Sequence, residues 1–256
     1  MGTWDLEWER FNYRLLKRHM LKLTYNMRKH QLYSHIKKLS STAARSIKLL
    51  DVGCGAGLRT LILAKTFPIK LYLIDNSHEA LKLAEANAKL IGVDNVDVKY
   101  GNVLRIPYPD EFFDVVYSGG VLEHLSGNNR YVSFKEMLRV TRKGGTIFVH
   151  VPNSASPLAT LGKTLTKFLK LWSFGLEIPY SRMEAESIIK RLDNIRSARI
   201  EVAGDSNFLL SLMWFPPLVL FNFTALEIPM RKLLGAVNIP IMDECCGEWL
   251  SIVISK

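Results

Sequence analysis

The stretch that most constrains this chain runs from Leu49 to Gly57, Leu-Leu-Asp-Val-Gly-Cys-Gly-Ala-Gly. An aliphatic run, Ile47 to Val52, halts at Gly53, Gly55 and Gly57, and an amphipathic pattern takes over at Leu58. Strand, tight turn and helix in that order form the opening unit of an open α/β sheet. Without a Cβ the backbone can turn sharply and come close to a ligand. The helix behind the turn aims unpaired N–H groups and its positive dipole end at the same point. A dinucleotide fingerprint needs its third glycine at position 58, where this chain has Leu58. The turn therefore points to a nucleotide-like ligand other than a dinucleotide.

Strand and helix patterns alternate from there on. Lys70–Ile74 reads as a second strand ending at Asp75, Val96–Tyr100 as a third and Phe113–Tyr117 as a fourth. The turn Lys143-Gly144-Gly145 leads into a fifth, Thr146–Val151. Between them lie helical patterns at Leu58–Lys65, at Glu79–Leu90 (capped by Ser77 and ended by Gly92) and at Arg130–Val140. A long connection, Pro152 to Pro179, carries its own helical pattern from Leu158 to Phe174. Ser181 and Glu184 have the spacing of a capping box for a helix Arg182–Leu192. Ala198–Val202 and Trp249–Ile254 complete the strands. This order predicts an α/β fold: a doubly wound, Rossmann-like, mostly parallel sheet with right-handed crossovers.

Charge is concentrated at one end. The 256 residues carry a formal charge of +10, and residues 10–38 contain nine Lys or Arg and no Asp or Glu. The core is thus close to neutral and residues 1–46 form a basic helical arm, with a polar linker at Ser40-Ser41-Thr42. A basic amphipathic helix can lie on an anionic membrane, contact phosphates of nucleic acid, or simply present a solvated face. Three cysteines give no disulfide framework, which predicts a reducing, cytoplasmic setting. The opening Met1-Gly2-Thr3-Trp4-Asp5 is not a charged-then-apolar signal pattern.

Several stretches carry chemistry. Asp75, with Asn76 beside it, stands 22 residues after Gly53 at a strand end, where a carboxylate can accept from both hydroxyls of a ribose. Asp51-Val-Gly-Cys-Gly-x-Gly resembles the first motif of class I S-adenosylmethionine-dependent methyltransferases. Phe112 to Leu125, with Ser118-Gly119-Gly120-Val121-Leu122-Glu123-His124 at its centre, resembles the fourth-strand signature of their methyltransferase type 11 branch. Met137 to Gly145 is similar to that branch's approach to strand five. The resemblance covers residues 45–152 and implies S-adenosyl-L-methionine as cofactor, held by Asp51, Gly53, Cys54, Gly55, Gly57, Asp75 and Asn76. It implies further that Asn102 accepts from the adenine amino group where the family usually has an acid, and that the Val103 N–H meets a ring nitrogen. It gives Gly119 a carbonyl contact with the methionine amino group, and it implies a seventh strand running antiparallel.

Methyl transfer is an in-line displacement, so the protein mainly aligns the acceptor and excludes water. Should the acceptor have to lose a proton, His124 is the candidate base, with Glu123 beside it; both also suit structural roles. Metal-ligand clusters are missing, as are an Asn-Pro-Pro-Tyr-like stretch and a Pro-Cys pair, which disfavours base-methylating enzymes of nucleic acid.

The expected layout is one domain: the arm 1–46, a cofactor-binding core 47–151, insertions at 152–178 and 204–247, and the last strand 248–256. Both insertions leave the carboxyl edge of the sheet, where ligands bind, and are read as a lid. Ser206 to Leu226 is uncharged throughout, but Pro216-Pro217 interrupts it, so two short apolar helices are expected rather than a membrane span. An apolar lid predicts a small, apolar acceptor such as a quinone, a lipid or a secondary metabolite, with peripheral membrane contact through the arm or the lid. An RNA or protein methyltransferase that uses the arm, and a domain that binds cofactor without transferring anything, are the alternatives.

Overall fold

The aliphatic runs form strands because their residues alternate between two buried faces. In the computed structural model, which describes residues 30–169, 177–202 and 249–256, Leu49 and Leu50 of β1 (Ile47–Val52) are both fully buried on opposite sides. The same alternation runs through β2 (Ile69–Asp75) and β4 (Phe113–Gly119), while β3 (Val96–Tyr100), at the sheet edge, turns only Val96 and Val98 toward the core. β5 (Thr141–Pro152), β6 (Ser197–Val202) and β7 (Trp249–Ser255) complete a seven-stranded sheet in the order β3-β2-β1-β4-β5-β7-β6. β7 pairs antiparallel with both neighbours and the other pairings are parallel, as expected.

Helices cover both faces. α1 (Gln31–Thr42), α2 (Leu58–Thr66) and α3 (His78–Ile91) bury Leu32, Ile36, Leu61, Leu63 and Ala84 against one side of the sheet. α4 (Asn128–Val140) and α6 (Arg182–Lys190) bury Phe134, Met137 and Ile188 against the other. α5 (Pro157–Phe168) follows the carboxyl end of β5 and leaves Leu161, Leu165 and Phe168 exposed. No helix among the described residues is long and apolar enough to cross a membrane.

Two local readings are corrected. Ser40-Ser41-Thr42 is the last turn of α1, not a linker. The Ser41 and Thr42 hydroxyls donate back to the carbonyls of Lys38 and Leu39, the Ala43 N–H closes the helix on the Leu39 carbonyl at 2.9 Å, and buried Leu32 and Ile36 hold the helix down. Lys143-Gly144-Gly145 is an excursion within β5 rather than a turn before it. Phe113 pairs with Thr141 and Val115 with Thr146, so Arg142 to Gly145 bulge out. Asp114, between the two register positions, accepts from Arg142 on the bulge and from Arg45 at 2.6 and 2.8 Å. The arm 1–29, the end of the pattern Leu158–Phe174 and the second insertion lie outside the described residues, except that the arm's last part is α1.

Candidate cofactor site

The sheet reverses its winding between β1 and β4, and the glycine turn leaves β1 at that point. The turn is tied to β2: Gly53 and Cys54 N–H donate to the Ile74 carbonyl at 2.8 and 3.0 Å. Gly55 N–H donates to Asp75 Oδ2 at 2.8 Å, and Ser77 N–H to Oδ1 at 2.9 Å. Two backbone amides thus fix the Asp75 carboxylate at the edge of the turn. Gly53 has φ +68°, and a Cβ there would stand 2.4 Å from Val121 Cγ2, so a side chain would strike the loop after β4.

A cavity of about 200 Å³ opens beside this turn. Gly53, Gly55, Asp75 and Asn76 form one wall; Gly101, Asn102, Val103 and Leu104 form a second. Gly120, Val121, His124 and Leu125 close it from the β4 side. Asn102 Oδ1 accepts from Leu104 N–H at 2.9 Å, which orients the amide oxygen before any ligand arrives. The Val103 N–H has no acceptor among the described residues. A strand-end carboxylate, an amide N–H awaiting an acceptor and apolar walls from Val103 and Leu125 fit an adenosyl group. Among the described residues no His, Cys, Asp or Glu cluster could hold a metal.

Asp51, Cys54, Gly57, Gly119 and Glu123 stand outside these walls. Asp51 is buried and its carboxyl accepts from Thr60 Oγ1 at 2.7 Å; burial pushes it up to about 7. Gly57 caps α2 with φ 69°. Cys54 Sγ lies 3.4 Å from the Gly55 carbonyl. A Cβ at Gly119 would stand 2.3 Å from the Tyr117 hydroxyl, so a neighbouring ring accounts for that glycine, while Gly120 meets the cavity. Glu123 and His124 sit in a 3-10 turn, Leu122–His124, with His124 in the wall and Glu123 buried behind it. Burial, with Glu177 nearby, pushes Glu123 up to about 8.

Sequence reasoning missed Asn87. It is fully buried on α3 and its Nδ2 donates to the Ala56 carbonyl at 2.8 Å, bracing the glycine turn from behind. The available signal was an amide set within the stripe Ala80, Leu81, Ala84 and Ala88.

Fold and site together define a nucleoside-binding α/β domain, with its ligand at the carboxyl edge of the sheet. Residues 50–149 match the family described as Methyltransferase domain. Residues 50–149 thus match a methyltransferase domain of the type 11 kind, and S-adenosylmethionine is the cofactor of such a domain. The chain is 38% identical over 112 residues to ajmaline N-methyltransferase of Rauvolfia serpentina, covering 43% of this chain and 38% of that one. It is 38% identical over 100 residues to demethylmenaquinone methyltransferase of Geobacillus stearothermophilus, covering 38% and 42%. The chain therefore spans about two fifths of these relatives' length. Among solved structures, phosphoethanolamine N-methyltransferase 2 of Haemonchus contortus, in complex with S-adenosyl-L-methionine, shares the fold. Its TM-score is 0.60 at 15% identity, over 88% of this chain and 52% of that one. The (4+2)-cyclase SpnF shares it too, with a TM-score of 0.57 at 18% identity over 88% and 80%.

Proposed function

We propose that the whole chain is an enzyme that transfers a methyl group from S-adenosylmethionine to a small acceptor with an apolar body, such as a quinone, a lipid or a secondary metabolite. The observation that carries this reading is the cavity at the β1, β2 and β4 carboxyl ends. Its polar groups suit a nucleoside, while its β4 side is Gly120, Val121, His124 and Leu125. Relatives that act on an alkaloid and on a quinone support an acceptor of the same character. The exposed Leu161, Leu165 and Phe168 of α5, at the same edge of the sheet, suit either an apolar acceptor or a membrane surface that delivers one.

The cofactor supplies an electrophilic methyl group, and the chain's residues supply position. Asp75 and the glycine turn fix the nucleoside end against two strands, which makes its placement rigid. Apolar walls at Val121 and Leu125 exclude water from the acceptor side. His124 faces the cavity, where an imidazole can take a proton from an acceptor that must lose one.

Incubation with methyl-labelled S-adenosylmethionine and a cell extract separated into lipid, small-molecule, RNA and protein fractions tests the reading. Label is expected in the lipid or small-molecule fraction. Label confined to RNA or protein would overturn the acceptor class, and none in any fraction would overturn the activity.

A further inference from the structure

Behind the β4 wall of the cavity lies a set of charged and polar side chains, buried except for Glu184, that cofactor binding does not use. Four of them are matched. Lys163 Nζ of α5 pairs with Glu177 Oε2 at 3.0 Å, and both are 9% exposed. Arg130, at the start of α4, pairs with Glu184 Oε1 at 2.6 Å and donates to the carbonyls of Leu125 and Ile178. Its guanidinium lies 3.9 Å over the Tyr180 ring. Two groups are left. Glu123 Oε2 and the Tyr180 hydroxyl are buried and have no hydrogen-bond partner among the described residues.

The backbone holds both in place. Ile178 N–H donates to the Glu123 carbonyl at 2.8 Å, and Tyr180 N–H to the Pro152 carbonyl at 3.1 Å. Glu123 Oε1 lies 3.8 Å from where a Cβ at Gly120 would stand, and Gly120 lines the cavity. The carboxyl is thus directly behind the wall that would face the acceptor.

A buried acceptor without a donor is costly, and a buried carboxylate without a cation more so. With Lys163 matched to Glu177 and Arg130 to Glu184, an ionised Glu123 leaves one negative charge uncompensated. We propose that Glu123 and Tyr180 form the recognition point for a protonated amine on the methyl acceptor, a cationic nitrogen carried on an apolar body. This rests on the methyltransferase reading and names the acceptor class for it. The ammonium supplies both what the carboxylate lacks, a positive charge, and what the two oxygens lack, N–H donors. The carboxylate can then take that proton, an O–H bond forming as the N–H bond breaks, and the lone pair returns to the nitrogen that must accept the methyl group.

Cation binding also has a proton signature. Glu123 is raised to about 8, so near pH 7 it holds a proton until a cation stands beside it. The charged groups acting on it are Glu177, Lys163 and Arg130, with Tyr180 close enough to feel its charge and His124 next in the chain.

The test is calorimetric titration at pH 7 with benzylammonium, which is cationic at that pH and carries N–H donors, alongside its uncharged isostere ethylbenzene and with no methyl donor present. Buffers of different ionisation enthalpy report protons released. Wild-type protein should prefer the cation at least tenfold and release about one proton per cation bound. Glu123→Gln should lose the preference and the release while binding S-adenosylhomocysteine as before, which shows that the variant is folded. A wild type that binds S-adenosylhomocysteine but treats the two probes alike would overturn this proposal alone. Proton release that persists in Glu123→Gln would overturn it as well. Protein that fails to bind S-adenosylhomocysteine would overturn the methyltransferase reading and this proposal with it.

Discussion

Asp51 shows how a single side chain can belong to a motif without touching its ligand. Its carboxyl sits behind the glycine turn and takes the Thr60 hydroxyl at 2.7 Å. The sequence marked Asp51 by its place ahead of the glycines, while Thr60, one helical turn into α2, had no motif to mark it. Burial raises Asp51 to about 7 from a usual value near 3.8. Between those values the folded chain holds a proton that the unfolded chain has lost, so stability falls as pH rises through that window. Asp51→Asn keeps the acceptor for Thr60 and cannot ionise. Chemical denaturation at intervals from pH 4.5 to 7 should show the wild type losing up to about 1.4 kcal/mol per pH unit relative to Asp51→Asn. Parallel curves for the two proteins would contradict this account of the residue.

At the scale of elements, α1 shows what sequence patterns leave out. Its N-cap is His30, whose Nδ1 accepts from Leu32 N–H at 3.2 Å. His30 Nε2 then meets His150 Nδ1 at 2.7 Å, and His150 Nε2 meets Ser251 Oγ at 3.0 Å. Ser251 Oγ donates to Gln31 Oε1 at 2.6 Å, which closes the loop back onto α1. One assignment satisfies every contact: both imidazoles neutral, each with its proton on Nε2. Burial, helped by Arg59, holds His30 down to about 3, which keeps it neutral. The relay joins residues 30, 31, 150 and 251, too far apart in the chain for any periodicity to reveal. A reading by local pattern therefore ran the helix through His30 and ended it at the serines. His30→Ala removes the cap and takes away the His150 Nδ1 contact, and should cost roughly 1–3 kcal/mol. Hydrogen exchange should quicken in residues 32–36 and stay unchanged in β1. Unaltered exchange in α1 would show that burial of Leu32 and Ile36 alone holds the helix.

Across the whole molecule, legibility followed sequence distance. The strands from Ile47 to Val149 were readable because the central ones bury alternate residues on two faces and the edge strand β3 sets Val96 and Val98 alternately with polar residues, both short-range properties. The glycine turn and Asp75 were readable because one tight corner and one strand end define them. The bulge at Arg142–Gly145 was not, since it depends on Asp114 across a strand pair. Nor was the cluster around Glu123, built from positions 123, 130, 163, 177, 180 and 184. The comparisons divide the chain in a similar way: residues 50–149 match a family, while Lys163, Glu177, Tyr180 and Glu184 of the Glu123 cluster lie beyond the match.

The central claim is that the turn at Gly53–Gly57 and the carboxylate of Asp75 hold S-adenosylmethionine. Equilibrium dialysis with labelled S-adenosylmethionine, comparing wild type with Asp75→Lys, tests it most directly. Saturable binding by the wild type is expected, weakened at least a hundredfold in a variant that keeps the wild-type far-ultraviolet circular dichroism. Equal affinity in the two proteins, or no saturable binding by the wild type, would contradict the account.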